Sequence, residues 1–177
     1  MTTRKLTLLA GLCAAGALPL VLLSLAYRRP SPDASGLAPG TRWLEVVAEP
    51  VGRVPPMATR GKRAVLFFSP SCPSCRATVA GLRTLLRAEP GRGLDCAPIA
   101  LVSIGSLEET IAFAPTAPAP LYHDRQRTSF KAAHGVVVPY LVVLADDTVL
   151  STHSGLLGSS QLRRVLSPLC TAATGGS

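Results

Sequence analysis

The sequence lacks any dense run of basic residues, although its net charge is +8. Four of the 18 basic residues, Arg4, Lys5, Arg28 and Arg29, flank an apolar segment, and the others are spread along the chain. Proteins that bind nucleic acids concentrate positive charge in a patch or stripe, so the charge pattern argues against a nucleic-acid partner. A disordered chain is also excluded, because 47% of the residues are hydrophobic and only 16% are charged.

The sequence also lacks the ligands of a structural zinc site. It has a single Cys-x-x-Cys, and its three histidines, His123, His134 and His153, stand singly. Structural zinc takes four protein ligands, usually from two paired motifs. We therefore expect no bound metal and no cofactor.

Residues 6–27 form a run of 22 residues without any charge. A run of this length can span the hydrocarbon core of a bilayer as one helix. The alternative is a cleaved signal peptide, with Ser24-Leu25-Ala26 offering small residues for cleavage. The length favours an anchor, because the apolar core of a signal peptide has roughly 7–15 residues. The equal basic flanks leave the orientation open.

The chain length suits one domain with an appendage. We predict an N-terminal anchor over residues 1–29 and a linker rich in proline and glycine over residues 30–40. One α/β domain should follow over residues 41–171, and residues 172–177 should form a disordered tail.

Within the domain, short apolar runs alternate with helical patterns. Strands are predicted at residues 43–47, 64–68, 99–102, 121–122, 140–144 and 148–152. Helices are predicted after Cys72, after Ser106, over residues 126–133, and from residue 159 or 160. Strand, helix and strand in succession imply parallel pairing through a right-handed crossover, and therefore an α/β fold.

Two local patterns refine the helices. Cys75, Val79, Leu82 and Leu86 recur at helical spacing and should share one buried face of the helix after Cys72. Ser106 and Glu109 have the spacing of a capping box at the start of the next helix.

Cys72-Pro73-Ser74-Cys75 follows the predicted strand 64–68 and opens a helix. The unpaired N–H groups of a helix N-terminus stabilise a thiolate, so Cys72 should be the nucleophile. Cys75, one turn on, should be the shielded thiol that resolves a mixed disulfide. Pro73 suits the first helical turn because it lacks an N–H and has a fixed φ. The alternative interpretations of the pair are a zinc site and a purely structural disulfide.

The segment 67–75, Phe-Phe-Ser-Pro-Ser-Cys-Pro-Ser-Cys, resembles the active-site segment of thioredoxin-like proteins. The most similar types are the membrane-anchored TlpA-like proteins and the thioredoxin-like proteins of methylamine dehydrogenase maturation. This resemblance implies a thioredoxin-like fold, a central mixed sheet flanked by helices, behind an N-terminal transmembrane helix. It also implies that Val138-Pro139 forms a cis-proline loop that faces the dithiol and, with Pro73 and Ser74, docks substrate.

The sequence departs from the family pattern at two positions. Ser71 stands where a tryptophan is common, and Leu66 stands where thioredoxins carry a buried carboxylate. Because leucine cannot accept a proton, proton transfer during resolution has no assigned group. Glu108 and Glu109 are the candidates within the segment inserted before the proline loop.

The predicted topology brings Cys96 and Cys170 to the same end of the sheet, opposite the dithiol. A Cys96–Cys170 disulfide is compatible with that topology, and two unpaired thiols are the alternative.

The resemblance implies an exported, membrane-tethered thiol–disulfide oxidoreductase. Its partners would be protein clients of cytochrome c, copper-centre or dehydrogenase maturation, an upstream redox partner, and the membrane through residues 6–27. TlpA-like proteins imply reduction of clients, whereas the maturation proteins imply disulfide formation, and the direction stays open. The alternatives are a copper-delivery protein that binds Cu(I) through Cys72 and Cys75, and a binding module with an incidental dithiol.

Overall fold

The computed structural model describes residues 36–43, 46–88 and 94–172. The predicted anchor at residues 6–27 lies outside these residues, as do residues 173–177 of the predicted tail. Across the described ranges, no helix is both long and apolar enough to cross a membrane. The anchor therefore stays a prediction.

Helices and strands alternate along most of the described chain. The strands are β1 (Glu49–Pro50), β2 (Lys62–Phe68), β3 (Leu94–Cys96), β4 (Ile99–Ser103), β5 (Leu121–His123), β6 (Tyr140–Ala145), β7 (Thr148–Ser154) and β8 (Cys170–Ala172). The α-helices are α1 (Pro73–Ala88), α2 (Leu107–Phe113), α3 (Thr128–Ala132) and α4 (Ser159–Leu166). Short 3₁₀ helices follow at Ala114–Thr116 and Ser167–Leu169.

Six strands form one mixed sheet in the order β1-β5-β4-β2-β6-β7. Strand β2 lies in the interior of the sheet, parallel to β4 and antiparallel to β6. Its continuous apolar run fits this place, because both faces of a central strand are covered. The parallel pairing of β2 with β4, with α1 between them in the chain, confirms the parallel pairing predicted from the sequence.

The alternating side chains of β2 divide the core between two faces of the sheet. Leu66 and Phe68 point to the face that α1 and α4 cover, together with Leu162. Val65 and Phe67 point to the opposite face, where Phe67 lies 6.2 Å, between ring centroids, from Trp43. The helix that follows Cys72 therefore packs on a strand that is buried from Arg63 to Phe68.

Most predicted elements of the domain are confirmed, within a residue or two at their ends. The hairpin of β6 and β7 turns at Asp146 and Asp147, as expected. The capping box of α2 is present: Glu109 N–H donates to Ser106 Oγ at 3.2 Å, and Ser106 N–H donates to Glu109 Oε2 at 3.2 Å. Local signals of this kind act within one turn of the chain, so they survive in the folded protein.

Three details of the prediction were wrong. The first strand is Glu49–Pro50, and residues 46 and 47 form no strand. Trp43 lies outside any strand and its side chain is buried against the sheet face. Leu86 is 38% exposed, whereas its neighbour Leu85 packs against the core. Helix α3 begins at Thr128, two residues later than predicted, because Arg127 has a left-handed φ of 56°.

Candidate functional site

The Cys-Pro-Ser-Cys segment lies where β2 ends and α1 begins. Cys72 N–H donates to the Ser69 carbonyl at 3.1 Å, which closes a turn directly after the strand. The Cys72 carbonyl then accepts from Arg76 N–H at 3.1 Å and forms the first hydrogen bond of the helix. Cys72 is thus the N-cap residue and Pro73 the first helical residue, the position that proline favours.

The Cys72 thiol is half-buried and surrounded by hydrogen-bond donors. Its Sγ lies 3.1 Å from Ser74 Oγ and accepts from Cys75 N–H at 3.4 Å. Burial by itself raises the pKa of Cys72, but hydrogen bonds from Cys75 and Ser74 outweigh it, and the net pKa is lowered. The cause is direct stabilisation of the thiolate by donors at the helix start.

The Cys75 thiol is in the opposite environment. It is 0% exposed and belongs to the same apolar cluster as Leu66 and Val79. Burial, with a smaller contribution from Cys72, raises the pKa of Cys75 to about 12. The Ser69 N–H, 3.5 Å from Cys75 Sγ, is a donor that opposes this rise. Both cysteines are free thiols in the structure.

The Val138–Pro139 loop faces the dithiol, and the peptide bond between its two residues is cis. The Cys72 thiol donates to the Val138 carbonyl at 3.9 Å, so this loop contacts the nucleophile directly. Gly155 N–H donates to the Pro139 carbonyl at 2.9 Å and ties the loop to the end of β7. The structure thus brings Cys72, Cys75 and Val138 together.

Leu66 is 0% exposed and belongs to the same apolar cluster as Cys75, so this position offers no proton acceptor. Glu108 is exposed, whereas Glu109 is half-buried. A Cβ at Gly105 would be 3.1 Å from Glu109 Oε2 and 3.3 Å from Ser69 Oγ. The Glu109 carboxylate and the Ser69 hydroxyl therefore both border the space beside Gly105.

Sequence reasoning missed two residues of the site. Ser69 donates its N–H to Cys75 and lies 3.0 Å, between hydroxyl oxygens, from Ser71. Gly105 packs beside Ser69 and Pro70 from the loop after β4. A serine and a glycine in loops carry no sequence signal by themselves, so only the packing of the two loops reveals their roles.

The other candidate residues do not join this site. Cys96 and Cys170 lie at the opposite end of the sheet. His134 is exposed, and His123 is buried at the end of β5, with its Nε2 3.1 Å from the Gly105 carbonyl. In the residues that the structure describes, no three His, Cys, Asp or Glu side chains are grouped so that they could hold a metal ion.

No protein-family model matches the chain, and no curated protein matches it. Solved structures do match. The proposed thiol:disulfide interchange protein DsbE of Chlorobium tepidum has a TM-score of 0.60 at 15% identity, over 75% of this chain and 99% of that protein. A thiol-disulfide isomerase of Corynebacterium glutamicum has a TM-score of 0.54 at 15% identity, over 73% and 96% of the two chains.

A secreted disulfide oxidoreductase of Mycobacterium tuberculosis, described as homologous to DsbE of E. coli, has a TM-score of 0.50 at 15% identity. That match covers 63% of this chain and 84% of that protein. At sequence identities this low, a structural similarity shows a shared fold alone. With the mixed sheet, the dithiol at the end of β2 and the proline loop opposite it, the comparisons establish that this chain has the thioredoxin-like α/β fold.

Proposed function

We propose that the protein is a thiol–disulfide oxidoreductase that exchanges disulfides with client proteins. The observation that carries the proposal is the contrast between two thiols one helical turn apart. Cys72 is half-buried and its pKa is lowered, whereas Cys75 is fully buried with a pKa raised to about 12. An exchange enzyme needs such a pair, one thiol to attack and one held back for resolution.

In the reducing direction, the Cys72 thiolate attacks one sulfur of a client disulfide. The new bond is a mixed disulfide, and the other client sulfur leaves as a thiolate that takes a proton. Cys75 then loses its proton and attacks Cys72 Sγ, which releases the second client thiol. The client gains two electrons and two protons, and the enzyme holds a Cys72–Cys75 disulfide. The oxidising direction is the same sequence reversed.

Exposed apolar side chains next to the Val138–Pro139 loop and Gly155 support protein clients. Val136 and Val137, which precede the Val138–Pro139 loop, are 71% and 48% exposed. Leu156 is 58% exposed and follows Gly155, whose N–H bonds to Pro139. Exposed apolar groups next to the loop that faces a reactive thiol favour contact with a polypeptide rather than a small polar disulfide. Pro73, Ser74, Val138 and Pro139 would then contact the client backbone.

The proposed location is the extracytoplasmic face of a membrane, with residues 6–27 as a single-pass anchor. Supports for this location are the uncharged length of that segment and the description of the M. tuberculosis structure as secreted. Clients in cytochrome c, copper-centre or dehydrogenase maturation and an upstream redox partner follow from the sequence resemblance.

The direct test is a trapping experiment in the full chain. Cys75→Ser keeps the nucleophile and removes the resolving thiol, so it should accumulate client proteins bound to Cys72 by bonds that dithiothreitol releases. Cys72→Ser in the same cells is the matched control and should trap nothing. If Cys75→Ser traps no protein, and the wild-type chain binds Cu(I) stoichiometrically instead, the copper-delivery alternative replaces this proposal.

The direction follows from the equilibrium of the Cys72–Cys75 pair with glutathione. A potential above about −150 mV would exclude the reductant role, since client reduction requires a potential well below that of strong oxidants.

A further inference from the structure

We propose that Cys96 and Cys170 form a second, structural disulfide at the end of the sheet opposite the dithiol. Strands β3 and β8 form a separate two-stranded antiparallel sheet. Within it, Leu94 pairs with Ala172, Asp95 with Thr171, and Cys96 with Cys170. The two cysteines are therefore direct cross-strand partners. This inference does not depend on the proposed function.

The hydrogen bonds identify the type of pair. Ala97 N–H donates to the Leu169 carbonyl at 2.9 Å, so the pair next to the cysteines is a hydrogen-bonded one. Bonded and non-bonded pairs alternate along an antiparallel ladder, which makes Cys96 and Cys170 a non-bonded pair. The Cα atoms of such a pair lie about 4.5 Å apart. That separation falls inside the range of roughly 4.4–6.8 Å that disulfides span.

The surroundings show why a covalent bond is useful here. A sheet of two short strands is marginal in water, yet β8 follows directly on Leu169, which is 2% exposed and part of the core. Besides the β3–β8 ladder, Lys62 Nζ donates to the Pro168 carbonyl at 3.1 Å. A disulfide would hold the C-terminal strand in place and keep Leu169 packed against the sheet.

The second pair is too far from the first for exchange within one folded molecule. In the β2–β4 ladder, Ala64 pairs with Ile99 at one end and Phe68 with Ser103 at the other. Four residues of strand separate these two levels, about 13 Å at the usual rise. Cys72 lies beyond one end and Cys96 before the other, so their sulfurs cannot meet. The structural bond should persist while the dithiol turns over.

The bond forms by ordinary exchange with a disulfide oxidant, such as glutathione disulfide. One cysteine of the pair, as thiolate, attacks the oxidant and displaces one glutathione as a thiol. The other cysteine, also as thiolate, then attacks the mixed disulfide and displaces the second glutathione. The protein loses two electrons and two protons, and the oxidant is reduced to two thiols.

The test uses the full chain with Cys72→Ser and Cys75→Ser, equilibrated with glutathione disulfide, alkylated without reduction and digested with trypsin. Residues 93–125 and 165–177 should be recovered as one cross-linked species, lighter by two hydrogen atoms than the separate peptides. Only Cys13 should be found outside the cross-link, as an alkylated or glutathione-bound thiol. Adding Cys170→Ser should abolish the species and leave Cys96 alkylated or bound to glutathione, which controls for random pairing.

A second readout is thermal stability. Oxidation should raise the Tm of the Cys72→Ser/Cys75→Ser chain by roughly 10 °C, since the bond closes a long loop of the unfolded chain. It should leave the Tm unchanged once Cys96→Ser and Cys170→Ser are added. The proposal is overturned if both peptides are recovered separately, with Cys96 and Cys170 alkylated or bound to glutathione, while wild-type Cys72 and Cys75 become oxidised in the same buffer.

Discussion

Replacing Ser74 by alanine tests whether the dipeptide between the cysteines lowers the pKa of the nucleophile. The Ser74 hydroxyl lies 3.1 Å from Cys72 Sγ, and its donor bond favours the thiolate. A hydrogen bond to a charged group contributes about 1.5–3 kcal/mol. Because Cys72 is only half-buried, water replaces part of this hydrogen-bond energy when the hydroxyl is removed. The thiolate then loses about 1 kcal/mol of stabilisation. We therefore expect Ser74→Ala to raise the pKa of Cys72 by about 0.7.

The same loss affects the redox equilibrium. Destabilising the thiolate disfavours the reduced enzyme, so Ser74→Ala should make the pair more reducing, by at most about 20 mV. The pKa is measured from the pH dependence of alkylation by iodoacetamide, quantified by mass on the peptide of residues 64–76. Cys75 stays protonated over this range because its pKa is about 12.

Ser71→Ala is the matched control. The Ser71 hydroxyl lies 3.0 Å from Ser69 Oγ and has no hydrogen bond to either thiol, so its removal should leave the pKa of Cys72 unchanged. An unchanged or lowered pKa in Ser74→Ala would refute the reasoning. An equal rise in both variants would also refute it, because the effect would then be general to the loop.

Three further predictions concern the buried groups. Because the pKa of Cys75 rises from 9.0 to about 12 on folding, the unfolded chain loses this proton first. As the pH rises between those two values, the unfolding free energy of the reduced protein should therefore fall by about 1.4 kcal/mol per pH unit. Urea titrations measure this fall, and Cys75→Ala should lack it. The rate at which the mixed disulfide decays, measured by stopped flow, should rise about tenfold per pH unit above neutrality, since only the Cys75 thiolate attacks. If this rate did not depend on pH in the wild type but did so in Glu109→Gln, the Glu109 carboxylate would instead be identified as the proton acceptor. The Asp124 carboxylate is 2% exposed and accepts from Thr128 N–H at 2.8 Å and from Phe130 N–H at 2.9 Å. Asp124→Ala should therefore cost about 2–4 kcal/mol of unfolding free energy. If Asp124→Ala lost no more stability than Asp124→Asn, this role of the carboxylate as acceptor for both N–H groups would be contradicted.

Much of this fold can be predicted from the sequence because its signals are local. The apolar run of β2 indicates a strand covered on both faces, and the capping box at Ser106 marks the start of α2 within one turn. The Cys-Pro-Ser-Cys spacing places two thiols one helical turn apart wherever the helix lies. Such patterns depend on residues close together in the chain, so tertiary contacts do not overturn them.

Other features depend on which distant segments meet. The sequence pattern at Trp43 predicted a strand, but in the structure the Trp43 ring packs against the ring of Phe67 and is buried there. Leu86 continued an apolar stripe, but its side chain is partly exposed, and the neighbouring Leu85 packs against the core instead. Burial and neighbours from other elements decide such cases, and periodicity along one helix or strand does not contain that information.

The chemistry of the site divides in the same way. The sequence by itself determined that two cysteines stand at a helix start after a buried strand, with no carboxylate at Leu66. Tertiary structure alone decided how far apart their pKa values lie, because Cys75 is desolvated by packing, whereas Cys72 keeps donors from Ser74 and Cys75. A pKa reports the surroundings of a group in space, and those surroundings form only when the chain has folded.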